Sequence, residues 1–335
     1  MTNQTPSSLD RVATYLERTG STPGTRLHEL PGDASTRRYV RVTLPSGQSR
    51  MLLVHPEPID PDSLSFLNVA RLLGRMGIRV PSVVRCDADL GIVELEDLGD
   101  LTLQGVLVTA TPDKRTACYL EAVAIVARMQ RRGRELASDH YVPFGLAFDV
   151  DKLMWELEFF VDHFLVDARG ATLSADQRAA LRHEFMPLAA DLAAERRVLC
   201  HRDYHSRNLM VHNEHLYVID FQDARMGPDS YDLVSLLRDS YVDNPPALVE
   251  AMIDEYLRLT ESPDDVGFRR RFDVMSVQRH LKALGTFGYQ STVAGTTRYE
   301  ADVPRTLRYV ATVFDRHVRF DRLRTLLSLH VTELG

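Results

Sequence analysis

The stretch "HRDYHSRNLMVHNEHLYVIDFQD", His201 to Asp223, sets an acid (Asp203), an amide (Asn208) and a second acid (Asp220) close together. Two chemistries compete for it: a metal held by histidines, or a nucleotide and its metal held by Asp203, Asn208 and Asp220. Carboxylate and amide oxygens are the hard donors that magnesium prefers, and a positioned carboxylate can take a proton from a hydroxyl. His201 and His205 are four apart, as in a helical zinc pair. That motif needs Glu after the first His, where Arg202 stands, and the flanks are short and β-rich. Any one of the three polar residues alone reads as part of a solvated turn. Three at this spacing, between the apolar runs "RVLC" and "LYVIDF", argue for a built site.

The chain that carries them has 335 residues, enough for one large domain or two lobes. It is 44% hydrophobic and 26% charged, as in a soluble globular protein. Its net charge of -7, from 40 basic and 47 acidic residues, argues against nucleic acid or an anionic membrane as the main partner. An anionic small substrate stays open, because a pocket can be locally positive on an acidic protein. Cys86, Cys118 and Cys200 are far apart, with no C-x-x-C, and fit neither a disulfide framework nor a zinc ribbon. "MTNQTPSSLDRVATYLERTG" lacks a basic-then-apolar signal pattern, and no run approaches the roughly 18 apolar residues of a membrane span. The expectation is a cytoplasmic protein; nothing in the sequence sets its oligomeric state.

Around the central motif the elements fall into two groups. "SSLDRVATYLERTG" predicts a short helix, and "LHELPGDASTRRYVRVTLPSGQSRMLLVHPEP" predicts strand, Gly-containing loop, strand, turn, strand. "DSLSFLNVARLLGRMGI" has helical periodicity, and "SVVRC" and "GIVELEDLG" predict two more strands. From about residue 100 onward helices dominate: "KRTACYLEAVAIVARMQRR", "DKLMWELEFFVDHFLVDA", and "SADQRAALRHEFMPLAADLAAE" with a Ser174 cap. Only "RVLC" and "LYVIDF" read as strands there. A β-rich front and a helical back imply two lobes with a cleft between them.

The motif H-R-D-x-x-x-x-N followed by D-F is that of kinases. More closely, the chain resembles the aminoglycoside-phosphotransferase-like kinases, and within them the bacterial anomeric N-acetylmuramate/N-acetylglucosamine 1-kinases of cell-wall recycling. The resemblance rests on "GDASTRRYVRV", "FLNVARLLGRMGIRVPSV", "LEDLGD", "HRDYHSRNLM", "VIDFQDARMGPDSYDLVSLLRDSYV", "SVQRHLKALGTFGYQ" and "RYEADVPRTLRYV", spread from about residue 30 to 310. It implies an α+β, bilobal protein-kinase-like fold, with a nucleotide-binding N-lobe over 1–99 and a helical C-lobe over 100–335. By the same resemblance Asp203 is the catalytic base, Asn208 and Asp220 hold Mg2+, and ATP is the phosphoryl donor. Asp232 and His201 support the catalytic loop, with a helix N-cap as the plain alternative for Asp232. "LEDLGD" becomes the hinge, whose backbone around Glu96 to Leu98 takes the adenine edge. Gly32, Ser35 and Thr36 present N–H groups or hydroxyls to the phosphates.

Two features depart from a typical kinase. "RMLLVHPEP" offers no phosphate-binding Lys, and the following helix has no Glu to pair with one. Arg37 and Arg38 are the nearest cations; adjacent strand residues face opposite ways, so one of them can point into the cleft. "DFQD" replaces D-F-G, so Gln222 and Asp223 are candidates to reach metal, water or acceptor, with a surface position equally open for Asp223. His205 and Arg207 of the catalytic loop are further acceptor candidates. So are Trp155 and Glu158 in "DKLMWELEFF", and Arg279 and Lys282 in "VQRHLKALG"; solvated helix faces or core packing are the alternative for these last two segments. The function implied is ATP-dependent phosphorylation of the anomeric (C1) hydroxyl of an N-acetylated amino sugar, with Arg279 and Lys282 leaning toward an anion such as the lactyl carboxylate. The alternatives are another acceptor on the same scaffold (an aminoglycoside, an amino alcohol or another sugar) and a nucleotide-binding pseudokinase.

Overall fold

The computed structural model describes residues 8–20, 23–30, 37–262 and 265–335. Helix α1 (Ser8–Arg18) precedes a five-stranded antiparallel sheet of β1 (Arg26–Glu29), β2 (Arg38–Thr43), β3 (Ser49–Val54), β4 (Val83–Asp87) and β5 (Ile92–Glu96). The strand order is β1-β2-β3-β5-β4, and α2 (Ser65–Arg75) comes between β3 and β4. Alternation along the strands sorts the side chains to two faces. Val40, Val42, Leu52, Val54 and Ile92 pack under Val12 and Tyr15 of α1. Leu53, Val93 and Leu95 face the other way, onto Phe66, Leu67 and Leu73 of α2 and the main core.

Beyond β5 the chain is mostly helical: α3 (Leu103–Thr109), α4 (Pro112–Glu135), α5 (Val150–Phe160), continued by a π-helical stretch Val161–Ala168, and α6 (Ala175–Ala194). Ser174 caps α6 as expected, accepting from the Gln177 amide at 3.2 Å, while its own amide donates to the Gln177 side chain at 2.9 Å. Four short strands follow: β6 (Arg197–Cys200), β7 (Leu209–His212), β8 (His215–Val218) and β9 (Arg225–Pro228). The helices α7 (Tyr231–Leu237), α8 (Pro246–Thr260), α9 (Asp265–Thr292), α10 (Val303–Arg316) and α11 (Asp321–Ser328) complete the chain. Among the described residues no helix is long and apolar enough to cross a membrane.

Two of those short strands were not expected from the sequence. β7 pairs with β8 across a two-residue turn, Asn213-Glu214, both at positive φ (48° and 65°). That is the backbone of a tight hairpin turn. β9 reads "RMGP", whose Gly and Pro disguise it; it forms by pairing with β6 at the edge of a two-stranded sheet. The expected strand "LYVIDF" ends at Val218, leaving Asp220 in a left-handed backbone conformation (φ 61°) beyond it.

For helix α9 the sequence left two readings open, a solvated charged face or an inward-facing acceptor site. It runs through the middle of the helical region, packed on α5, the π-helical stretch, α7 and α10. Gly285 and Gly288 permit this close crossing: a methyl group on Gly285 would sit 2.8 Å from the Phe160 Cα, and one on Gly288 would collide with the His163 carbonyl. The crossing carries Arg279 and Lys282 inward.

Candidate active site

The loop after β6 is fixed from beneath. Asp232, fully buried at the start of α7, accepts from the His201 amide at 2.7 Å and the Arg202 amide at 3.0 Å. It braces the loop and is not the helix cap, a position Ser230 occupies. Burial pushes its carboxyl up to about 6, against the opposing pull of His201 and of the two amides. His201 joins the two chemical loops: one ring nitrogen lies 2.9 Å from the Ile219 carbonyl and the other accepts from the Asp203 amide at 3.3 Å. Burial lowers its pKa, which keeps the ring neutral for this dual role. Arg202 takes a left-handed backbone (φ 86°), which turns Asp203 out of the loop. Ser206 is tied to Asp239 at 2.9 Å, completing the scaffold.

Asp203 meets two cations from α9, the Lys282 ammonium at 2.9 Å and the Arg279 guanidinium at 3.5 Å. Burial alone would raise its carboxyl, but Lys282, Arg279 and Arg202 outweigh it and hold the group well below the usual carboxylate range. Asp203 is therefore ionised and oriented. The Asn208 amide donates to the Asp203 carbonyl at 2.9 Å and lies 3.5 Å from Asp220. The Gln222 amide donates to Asp220 at 2.9 Å. Asp220 opens to the cleft, yet the protein crowded around it raises its carboxyl; Gln222 and Arg37 oppose that rise. A carboxylate whose charge is disfavoured in this way, with the Asn208 side-chain amide next to it, could hold a magnesium ion that keeps waters and phosphates as its other ligands. Among the described residues no cluster of three or more His, Cys, Asp or Glu side chains suits a metal.

Between the sheet and β7 lies a cleft of about 290 Å³ with apolar walls, among them Tyr39, Met51, Phe66, Leu95 and Phe221. Glu96, Asp97, Leu98 and Gly99 border one end, and Arg37, Asn208 and Asp220 also line it. The hinge is locked by a contact the sequence did not advertise: Arg41 of β2 meets Asp97 at 2.7 Å and Asp100 at 2.8 Å. The Glu96 side chain turns away to the Ser82 hydroxyl at 2.9 Å, so the Glu96 to Leu98 backbone is what that end of the cleft offers. Arg37 faces the cleft, whereas Arg38 points outward to Glu29 at 3.1 Å. Gly32, Ser35 and Thr36 lie outside the described residues. In place of a Lys–Glu pair, α2 is held by Phe66 stacked on Phe221 (5.0 Å between ring centroids) and by Asn68. The Asn68 side chain donates to the His140 carbonyl at 2.8 Å and accepts from the Val142 amide at 2.9 Å.

A family model described as the phosphotransferase enzyme family matches residues 26–268. The chain belongs to that family. It is 34% identical over 307 residues to an N-acetylmuramate/N-acetylglucosamine kinase of Neisseria meningitidis serogroup B, covering 88% of this chain and 87% of that one. A Pseudomonas aeruginosa protein of the same name is 32% identical over 315 residues, 92% of this chain and 90% of that one. Among solved structures, an ADP-bound aminoglycoside phosphotransferase superposes with a TM-score of 0.59 at 14% identity, over 91% of this chain and 98% of that one. The fold is thus the expected α+β, protein-kinase-like one, sheet-rich at the front and helical behind.

The phosphotransferase places the remaining sequence candidates unevenly. The Gln222 side chain lies between Asp220 and Asp223, 2.9 and 3.4 Å from them, and Asp223 is exposed. The Arg207 guanidinium lies over the Tyr241 ring at 3.6 Å and reaches Gln104 of α3 and Asp302 just before α10, so its contacts are with the protein's own side chains. His205 packs edge-on to Tyr241 at 4.9 Å, with its pKa driven down to about 3, chiefly by burial. Trp155 is half exposed with Lys152 above its ring at 3.9 Å. Glu158 is not brought to the cleft. Two residues from Glu156 on a helix, it points to the opposite side of α5 and pairs with Arg182. Glu156 takes the inward position instead, 1% exposed, receiving a hydrogen bond from Gln278 at 2.9 Å. Sequence reading gave no role to Lys152 or Arg225, both of which flank this inward side.

Proposed function

We propose that this phosphotransferase moves the γ-phosphoryl group of ATP to the anomeric hydroxyl of N-acetylmuramate and N-acetylglucosamine, in the cytoplasm, within cell-wall recycling. The observation that carries this reading is the environment of Asp203: the carboxylate facing the acceptor is held by Lys282 and Arg279, with Arg202 close by. A wall of cations suits an acceptor that bears a carboxylate. It does not suit an aminoglycoside, whose several amines call for acids. The names of the relatives, matched over most of both chains, point to the same acceptors.

In this reading Asp203 accepts the proton of the C1 hydroxyl. A hemiacetal hydroxyl is more acidic than an ordinary alcohol, so a carboxylate of low pKa is an adequate base, most of all when the proton leaves late in a loose transition state. Lys282 and Arg279 hold that carboxylate ionised and aimed. Asn208 and Asp220 would hold Mg2+, which supplies charge neutralisation on the phosphates when bound. Arg37 stands in for the missing Lys on the nucleotide side. Gln222 orients Asp220, and the apolar slot from Tyr39 to Phe221 takes the base against the hinge backbone. By resemblance the product is the α-1-phosphate. The test is NMR of the product made from each sugar with ATP and magnesium. Phosphorus coupled to the anomeric proton is the expected result; coupling to the C6 protons, or no product with either sugar, rejects the proposal.

A further inference from the structure

Arg279 and Lys282, the cations first suspected of meeting the acceptor's carboxylate, are engaged on Asp203. A second group of cations stands beside them with weaker engagements. Lys152 of α5 and Arg202 of the catalytic loop straddle the buried Glu156 at 3.8 and 3.9 Å, distances of ion pairing without a hydrogen bond. Arg202 also faces Asp223 at 3.6 Å. Arg225 of β9 lies over the Phe148 ring at 5.4 Å and, among the described residues, donates only to the Asp223 carbonyl, at 3.2 Å. Among the described residues neither the Lys152 ammonium nor the Arg202 guanidinium makes a hydrogen bond, and Arg202 Nε is buried without a partner. The Glu156 oxygen between them is likewise without one.

Cations crowd one another along this wall. Lys152, Arg202, Arg225, Lys282 and Arg279 gather around Asp203, Glu156 and Asp223, while two further carboxylates, Asp220 and Asp232, act on Asp203 from its other sides. Burial, and then the mutual repulsion of Arg202, Arg225 and Lys282, lower the Lys152 pKa, while Glu156 opposes that. An added anion relieves this repulsion and takes up the idle N–H donors. The site is reachable: the Lys152 side chain is 24% exposed, and its ammonium is propped over the half-exposed Trp155 ring. It also adjoins the base, since Arg202 acts electrostatically on Asp203 and Lys282 on Lys152.

We infer that Lys152, Arg202 and Arg225 form the subsite for the acceptor's carboxylate, the lactyl group on O3 of N-acetylmuramate, while the sugar's C1 hydroxyl lies at Asp203. The inference rests on the sugar-kinase reading above and assigns to this wall the choice between the two sugars. C1 and C3 are separated by one ring carbon, so a carboxylate on the C3 substituent reaches a wall beside the base, not one across the nucleotide cleft. N-acetylglucosamine carries no such group and gains nothing from these cations.

The test compares kcat/KM for N-acetylmuramate, its methyl ester and N-acetylglucosamine, in the wild type and in Lys152→Met and Arg225→Gln. A charge-assisted contact of this kind is worth about ten- to a hundredfold. The N-acetylmuramate to N-acetylglucosamine ratio should fall by about that factor in Lys152→Met, with a smaller fall in Arg225→Gln. Wild-type enzyme should discriminate against the ester by a similar factor, and Lys152→Met should discriminate less, as a double-mutant cycle requires. The ester comparison in wild type needs no variant to fold. An unchanged sugar ratio, with both sugars slowed alike or neither slowed, overturns the inference, as does a wild type that accepts ester and acid equally. A wild type that turns over neither sugar overturns the sugar-kinase reading and this inference with it.

Discussion

On the nucleotide side of the cleft Tyr39, Met51, Phe66, Leu95 and Phe221 make apolar walls, with Arg37 and Asp220 among the charged groups that line them. On the proposed acceptor side Lys152, Arg202, Arg225, Arg279 and Lys282 gather with Asp203, Glu156 and Asp223, several of them buried. The first region needs a flat apolar slot and backbone groups at its hinge, which many sequences supply. The second needs particular charges at particular places, each costly to bury unless matched. Tolerance of side-chain identity is therefore expected along the apolar walls of the nucleotide side, Arg37 and Asp220 excepted, and sharp dependence on single residues on the acceptor side.

Asp203→Asn is the most severe test of that contrast. Loss of the base should lower kcat by about two to four orders of magnitude while leaving nucleotide affinity nearly intact, read by single-turnover kinetics beside ADP or ATP titration. A variant that kept a tenth of the wild-type rate would remove Asp203 from the base role. Next in size, Arg37→Gln should raise the ATP KM and lower the rate, together by about ten- to a hundredfold in kcat/KM. Arg38→Gln, with its side chain turned to Glu29, should stay within about twofold of wild type in the same assay. Equal effects at the two positions would mean that Arg37 does not serve the phosphates.

Gly288→Ala probes how α9 is delivered to the acceptor side. Its methyl group has no room against the His163 carbonyl, so denaturant unfolding should show a loss of about 1–3 kcal/mol, with kcat/KM for the sugar falling more than nucleotide affinity. An unchanged unfolding midpoint would show that the crossing is not tight. The mildest test is Lys282→Met. Burial raises the Asp203 carboxyl and Lys282 is foremost among the cations that lower it, so removing Lys282 should move the acid limb of kcat/KM to higher pH. In the wild type the stabilisation from this depressed carboxyl is present above the ordinary carboxylate pKa and is lost as pH falls toward the folded-state value. The acid-side stability of Lys282→Met should accordingly vary less with pH. An acid limb that stays in place would detach Lys282 from Asp203.

What the sequence revealed follows the same division. The H-R-D-x-x-x-x-N and D-F spacing exposed Asp203, Asn208 and Asp220 because those residues flank the two ends of one short hairpin, β7–β8, where linear spacing maps onto space. The sheet was legible from alternation, and α6 from its Ser174 box. The strand β9 was not, because Gly227 and Pro228 mask a pairing made only through β6. Glu158 was chosen where Glu156 faces inward: α5 is apolar on more than one face, so its inward side is set by α9 and α6 and not by its own pattern. Lys152, Arg202 and Arg225 come from three separate elements, and no spacing links them. The Arg37/Arg38 alternative was correctly framed by strand alternation, but only the paired register with β3, Arg38 opposite Val54, decides which way it resolves.

The central claim, a kinase whose acceptor side is built for an anionic amino sugar, is tested most directly by ADP release with ATP and magnesium across one panel of acceptors: N-acetylmuramate, N-acetylglucosamine, an aminoglycoside and choline. The account predicts turnover with the two sugars, the higher kcat/KM with N-acetylmuramate, and none above background with the two cationic acceptors. Turnover with the aminoglycoside or choline and none with either sugar would contradict it.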